Sequence, residues 1–188
     1  RRGETAADRV AEHCLKHMNP KYAINILDFF PGGSDERQYC SPGFNFPVGS
    51  LMRSMYGTYP EYHTSLDNLG FISAEGLAGS LEVYLRIVQV HELNKKYVNY
   101  SPYGEPHLSK HGLYPAIGAR NASKGSVNRR MMHLLAFSDG NNDLVDIANI
   151  ANEPAWAFAP EIEMLMKAGL LGFEDVLPLA KDPQTEGN

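Results

Sequence analysis

Two stretches of this 188-residue chain concentrate groups able to do chemistry. The first, GGSDERQYCSPG over 32–43, sets Ser34, Asp35, Glu36, Arg37 and Cys40 close together. The second, YPEYHTSLDN over 59–68, holds Tyr59, Tyr62, His63, Ser65 and Asp67. A neutral imidazole is a common zinc ligand, and a nearby carboxylate can orient it or relay protons. The plainer alternative is that Asp35 and Asp67 cap helices and that His63 is an ordinary loop histidine. Cys40 beside His63 would permit a cysteine nucleophile, against the alternative of a buried packing thiol. Ser34 and Ser65 lack the nucleophile-elbow pattern of hydrolases. His13 with His17, and His107 with His111, are spaced to share a metal on one helical face, but neither pair sits in an HExxH arrangement.

The elements that must position these groups follow from periodicity. Over 5–18, Ala7, Ala11, Cys14, Leu15 and Met18 form the stripe of an amphipathic helix. Residues 22–30 are β-branched and aromatic and read as a buried strand, with a weaker strand over 46–54. The turn after the first strand lies where open α/β sheets place their ligands. Ser73 can cap a long helix whose predicted buried stripe is Leu77, Leu81, Tyr84, Leu85 and Val88. That helix is expected to end near Lys95 and Lys96. Residues 99–124 are rich in Tyr, Pro, Gly and Ser and read as a linker.

Three short helical patterns follow. The first is marked by Met131, Leu134 and Leu135. The second is capped by Asp143 and carries Leu144, Ile147, Ala148 and Ala151. The third opens at Pro160 and ends at Gly169. With a wing over 170–179, this is the order of a winged helix.

The chain carries 17 Lys+Arg against 22 Asp+Glu, a formal net charge of −5. Phosphate neutralisation needs clustered cations, so this balance argues against a nucleic-acid partner. The segment 128–188 is more acidic still, with four Lys or Arg against ten Asp or Glu. Its third helix sets Glu161 and Glu163 against Lys167, which would repel phosphates. Arg120, Lys124, Arg129 and Arg130 form the one basic cluster, expected to be a solvated face. No run of about 18 apolar residues is present, so no spanning helix and no membrane partner is expected. Cys14 and Cys40 make neither a disulfide framework nor a CxxC pair, and no secretion signal opens the chain. The expected setting is reducing and cytoplasmic.

GGSDERQY followed by EYHTSLDNLGFI resembles the closing portion of the zinc aminopeptidase superfamily, which includes glutaminyl cyclases. PGGSDERQYCSPGFNFPVGSLMRSMYGTYPEYHTSLDN is similar to a bacterial aminopeptidase-like subgroup associated with polysaccharide biosynthesis, which appends a C-terminal winged helix. The resemblance covers essentially the whole chain. It implies a fold of the α/β class, the C-terminal part of a zinc-exopeptidase, phosphorylase/hydrolase-like mixed-sheet domain over 1–98. A linker over 99–127 and a winged helix-turn-helix domain over 128–188 would follow.

By position, His63 matches the last zinc ligand, Asp35 an acidic residue that relays protons or binds substrate, and Asp67 an outer acidic group. Glu36 stands where many relatives have His, and Tyr39 where they have Phe. Arg37, Arg53, Tyr59 and Tyr62 are candidates for binding a substrate carboxylate or amide. The resemblance also implies a first His, a metal-binding Asp and a general-base Glu upstream, and no matching segments exist here. One histidine cannot hold a catalytic zinc, which takes three protein ligands. The chain, which starts at Arg1 rather than Met, is therefore expected to be a C-terminal fragment, inactive alone and completed by the missing N-terminal part of the same polypeptide. The implied function is zinc-dependent hydrolysis of an N-terminal peptide bond or related amide. The alternatives are a glutaminyl-cyclase-like acyl transfer, or a non-catalytic scaffold using its winged helix for protein contacts. Homo-oligomerisation stays open.

Overall fold

The computed structural model describes residues 4–18, 23–32, 35–113 and 127–173. The chain divides into two compact units, 1–92 and 93–188. In the first, helix α1 spans Ala6–His17. It starts where expected because Thr5 and Asp8 form a capping box: the Asp8 N–H donates to Thr5 Oγ1 at 3.3 Å and the Thr5 N–H to Asp8 Oδ2 at 3.1 Å. Its buried residues are Val10, His13 and Cys14. The packed face is thus rotated from the predicted stripe, whose Ala7, Ala11, Leu15 and Met18 are only half-buried. Helix α2 is one turn, Glu36–Tyr39, and helix α3 spans Ala74–Leu93. Ser73 caps α3 as read, its Oγ accepting the Gly76 N–H at 3.0 Å.

Two expectations fail in this unit. Residues 23–30 run extended and exposed without strand pairing, and 46–54 likewise form no strand. A strand exists only where a neighbouring backbone answers its N–H and C=O groups, and among the described residues none does. The predicted buried stripe of α3 is also exposed: Leu77, Leu81, Tyr84, Leu85 and Val88 are each more than half accessible. The helix packs instead through Gly76, Gly79, Ser80, Val83, Ile87 and Val90.

Burial pushes the Cys14 thiol up to about 11, partly offset by Arg86. Between pH 9 and 11 the unfolded chain holds fewer protons at this thiol than the folded one, so stability falls as pH rises through that window. The expected loss is about 2–3 kcal/mol, and Cys14→Ala should flatten this part of the stability–pH profile in urea titrations.

The second unit holds β1 (Lys96–Asn99), α4 (Val127–Phe137), β2 (Asp139–Asp143), α5 (Leu144–Ala151), α6 (Ala159–Lys167) and β3 (Leu171–Phe173). The strands form an antiparallel sheet in the order β2-β1-β3. Val98 lies opposite both Asp139 and Gly172. The expected boundary at 98 and the linker over 99–127 are corrected by this pairing, because β1 is the central strand and belongs to the C-terminal unit. Residues 114–126 of that linker lie outside the described residues, as do 174–188, where most of the expected wing falls.

The three predicted helices are present with their predicted buried residues: Met131, Leu134 and Leu135 on α4, and Leu144, Ile147, Ala148 and Ala151 on α5. Asp143 caps α5 in a second capping box. Asp146 N–H reaches Asp143 Oδ1 at 3.0 Å, and Asn94 ties the same corner to the start of β1 through Asp143 Oδ2 and the Val145 N–H. Gly169 ends the turn after α6 at φ +69°.

Gly172 sits directly beneath Tyr100, where a Cβ would come 2.5 Å from the ring carbon Cζ. Gly172→Ala must displace that ring from β3, and we expect a loss of about 1–3 kcal/mol in urea unfolding monitored at Trp156.

Candidate functional site

The segment 55–72 is a succession of turns built around Thr64. The Thr64 hydroxyl donates to the Glu61 carbonyl at 2.8 Å and accepts the Leu66 N–H at 3.2 Å, while the Asp67 N–H reaches the Thr64 carbonyl at 3.2 Å. Such hydroxyl turns are favoured by Ser and Thr in loops. Thr64 is the structural residue that sequence reasoning passed over, and its signal was its place in His-Thr-Ser-x-x-Asp. Immediately before it, His63 adopts a left-handed backbone, φ +58°. This region is uncommon for residues with a Cβ, though His is enriched there. The imidazole is exposed and stacks on Tyr62, with centroids 4.0 Å apart and planes at 16°. Tyr62 in turn meets Tyr59 edge-on at 5.7 Å, and Tyr59 stacks on Phe71 at 5.5 Å. An aromatic chain therefore holds the histidine ring from one side and leaves it open on the other.

A cleft of about 440 Å³ adjoins this chain, lined by Arg53, Tyr59, Phe71 and Ser73 among others. Arg53 crosses the first turns of α3, where its Nη1 donates to the Gly76 carbonyl at 3.2 Å. A Cβ on Gly79 would lie 2.9 Å from that same nitrogen. Gly76 and Gly79 thus leave room for the guanidinium, which ties the loop to the helix as well as lining the cleft.

Among the described residues no hydrogen bond, ion pair or ring contact joins the remaining candidates to His63. Asp35 precedes α2 and makes no side-chain cap, which removes the expected capping role, and Arg37 is exposed. Neither hydrogen-bonds, pairs or stacks with His63 or Asp67. Glu36 is half-buried and Asp67 exposed. Cys40 is buried, its thiol directed to the carbonyls of Phe46 and Val48 at 3.4 and 3.6 Å, which is the packing role rather than that of a nucleophile. Among the described residues no three His, Cys, Asp or Glu side chains converge to hold a metal ion. His13 and His17 have rings 4.6 Å apart on α1. His107 precedes and His111 ends a 3₁₀ turn, Leu108–His111, so the two do not share an α-helical face.

Residues 1–94, half of the chain, match the family described as a domain of unknown function, DUF4910. The chain belongs to the DUF4910 family. Residues 95–172 match a winged helix-turn-helix family, in agreement with the boundary at 92/93 and with β1 opening the second unit. A Clostridium acetobutylicum protein is 45% identical over 146 residues. It is provisionally named a polysaccharide biosynthesis protein with an aminopeptidase-like domain. A crystal structure from Clostridium acetobutylicum, provisionally described as a peptidase, superposes with a TM-score of 0.76 at 37% identity over 92% of the DUF4910 chain. The DUF4910 chain spans about a third of the length of each, 33% of the curated relative and 37% of the crystallised chain.

The winged helix-turn-helix part corrects the expectation of a solvated basic face. Arg130 turns inward, its Nη2 2.7 Å from Glu161 Oε1 and its Nη1 3.2 Å from Glu153 Oε2, and Arg129 Nε lies 3.8 Å from Glu153. Glu161 is fully buried, so of the two α6 carboxylates expected to repel phosphates only Glu163 faces solvent. Arg129 and Arg130 are committed to these carboxylates, and Arg120 and Lys124 lie outside the described residues. Among the described residues no helix is long and apolar enough to cross a membrane.

Proposed function

We propose that this chain is the C-terminal part of an aminopeptidase-like hydrolase that cleaves an N-terminal peptide bond or a related amide. The observation that carries the reading is His63: a left-handed residue with its imidazole exposed and held by Tyr62, in a DUF4910 chain whose relatives bear aminopeptidase and peptidase names. Uncommon backbone conformations cluster where function requires them. The described residues do not by themselves fit a zinc site, because His63 has no second and third ligand among them. In this reading His63 supplies one imidazole, and the remaining zinc ligands come from residues outside the chain. In this reading Arg53, which lines the cleft beside Tyr59, binds a substrate carboxylate or carbonyl, and Arg37 and Tyr62 add further polar contacts. Asp35 takes an acid or hydrogen-bonding role, and Glu36 and Asp67 act from outside the reacting groups. The acidic winged helix serves packing or protein contact.

The test is an assay of the full-length gene product on aminoacyl amides, short peptides and a peptide beginning with Gln. Release of the N-terminal residue is expected. Cyclisation of the Gln peptide without hydrolysis would assign acyl transfer instead, and turnover of none would leave the scaffold reading.

A further inference from the structure

We propose that the cleft beside Tyr59 binds an apolar amino-acid residue that carries a free α-carboxylate. In the hydrolase reading this is the residue on the leaving side of the scissile bond; that placement rests on the reading, while the binding does not. The cleft lies within the first unit, lined from 52–59, from 71–73 and from the first turns of α3. Its volume of about 440 Å³ falls in the range of small-molecule sites, roughly 300–1,000 Å³. Met52, Tyr59, Phe71, Ile72 and Leu77 give it apolar walls. Among the described residues that line it, Arg53 is the one that carries charge. Apolar walls with a single cation select a ligand with an apolar body and one anionic group. A substrate ammonium would need a carboxylate, and none of the described lining residues supplies one. The cleft therefore suits the acid end of a short substrate rather than its amino end.

The guanidinium is seated in advance. Its Nη1 donates to the Gly76 carbonyl at 3.2 Å, and the two glycines of α3 leave the room that it occupies. A Cβ on Gly79 would lie 2.9 Å from Nη1, and one on Gly76 would lie 3.8 Å from Nε. A guanidinium carries five N–H donors in a planar fork, so the bond to Gly76 orients it and is compatible with a two-pronged grip on a carboxylate. A long side chain ordered beforehand loses less entropy when the ligand arrives. Tyr59 joins the cleft to His63: its ring meets Tyr62 edge-on at 5.7 Å, and Tyr62 stacks on the imidazole at 4.0 Å. An extended chain advances about 3.5 Å per residue, so a dipeptide or an N-acyl amino acid is long enough to lie at both. On hydrolysis the oxygen of water joins the acyl carbon, the C–N bond breaks and the leaving nitrogen takes up a proton, which frees the apolar residue as an amino acid. The substrates expected are short amides that end in an apolar residue with its carboxylate uncapped.

Two measurements on the full-length gene product separate the cleft from the catalysis. In calorimetry, N-acetylphenylalanine is expected to bind about 10–100-fold more tightly than its amide, the worth of hydrogen bonds to a charged group. Arg53→Met should abolish that difference, and Gly79→Ala, which keeps the charge but crowds its seat, should reduce it. In hydrolysis, kcat/KM for the dipeptide Ala-Phe should exceed that for Ala-Phe-amide by a similar factor. Failure to bind either compound, equal binding of acid and amide, or a preference that Arg53→Met leaves intact would overturn the proposal. Binding of the acid that depends on Arg53, with no dipeptide turned over, would keep the cleft and remove the hydrolase reading. Equal turnover of Ala-Phe and its amide, without binding that depends on Arg53, would do the reverse.

Discussion

Arg130→Ala is expected to destabilise the winged-helix unit by about 3–5 kcal/mol, the usual cost of removing one partner from a buried ion pair. Arg130 reaches Glu161 Oε1 from both Nε, at 2.8 Å, and Nη2, at 2.7 Å, and also bonds Glu153. Burial opposes its charge, yet the hydrogen bonds it donates to Glu161 and Glu153, with their negative charges, outweigh that and raise its pKa. Glu161 is fully inaccessible and Glu153 nearly so, so the alanine variant takes the Arg130 cation away from Glu161 inside the fold and leaves Glu153 with Arg129, 3.8 Å away. Such a network ties α4, α6 and the turn at Glu153 into one arrangement. Replacing Arg130 and Glu161 together by Met should cost much less than Arg130→Ala, because the burial of uncompensated charge is then avoided. Urea unfolding followed at Trp156, the chain's one tryptophan and a member of this unit, reads both. A cost under about 1 kcal/mol for Arg130→Ala would mean that the pair behaves as an exposed one.

The second large effect is functional. His63→Ala in the full-length protein is expected to lower hydrolysis of aminoacyl amides by at least about 100-fold, more than the loss of a group that only supports a metal ligand. Stability should move the other way. The left-handed backbone at φ +58° is uncommon for a residue with a Cβ, so His63→Gly relieves it and should hold or raise the thermal midpoint by about 1 kcal/mol equivalent. A histidine kept for packing would give the opposite pair of results, with stability lost and activity retained. Loss of the Tyr62 stack belongs to either outcome and does not separate them.

Local signals in the sequence proved sufficient wherever a few adjacent residues decide the structure. Ser73 and Asp143 cap their helices as read, Gly169 ends the turn after α6, and the apolar residues of α4 and α5 are the buried ones. What was not legible depends on partners distant in sequence. β2 reads Asp-Gly-Asn-Asn-Asp, a turn composition, and is a strand only because β1 pairs with it, across a register shift between Lys96 and Val98. β1 itself lay hidden between the expected end of α3 and a loop-like stretch. The reverse happened at 22–30, where a strong strand pattern met no partner among the described residues. The basic cluster misled in the same way, since charge counts do not show that Arg130 and Glu161 bury each other. At the candidate site, the residue type and loop position of His63 were legible, but its left-handed turn and the hydroxyl brace from Thr64 were not.

The proposed place of His63 as a zinc ligand, in a hydrolase completed by the rest of the polypeptide, is open to measurement. Elemental analysis of the full-length gene product and its His63→Ala variant, both purified in zinc without chelator, tests it most directly. Stoichiometric zinc in the parent and a clear drop in the variant are expected. A parent protein free of metal, or a variant that keeps its zinc undiminished, would contradict it.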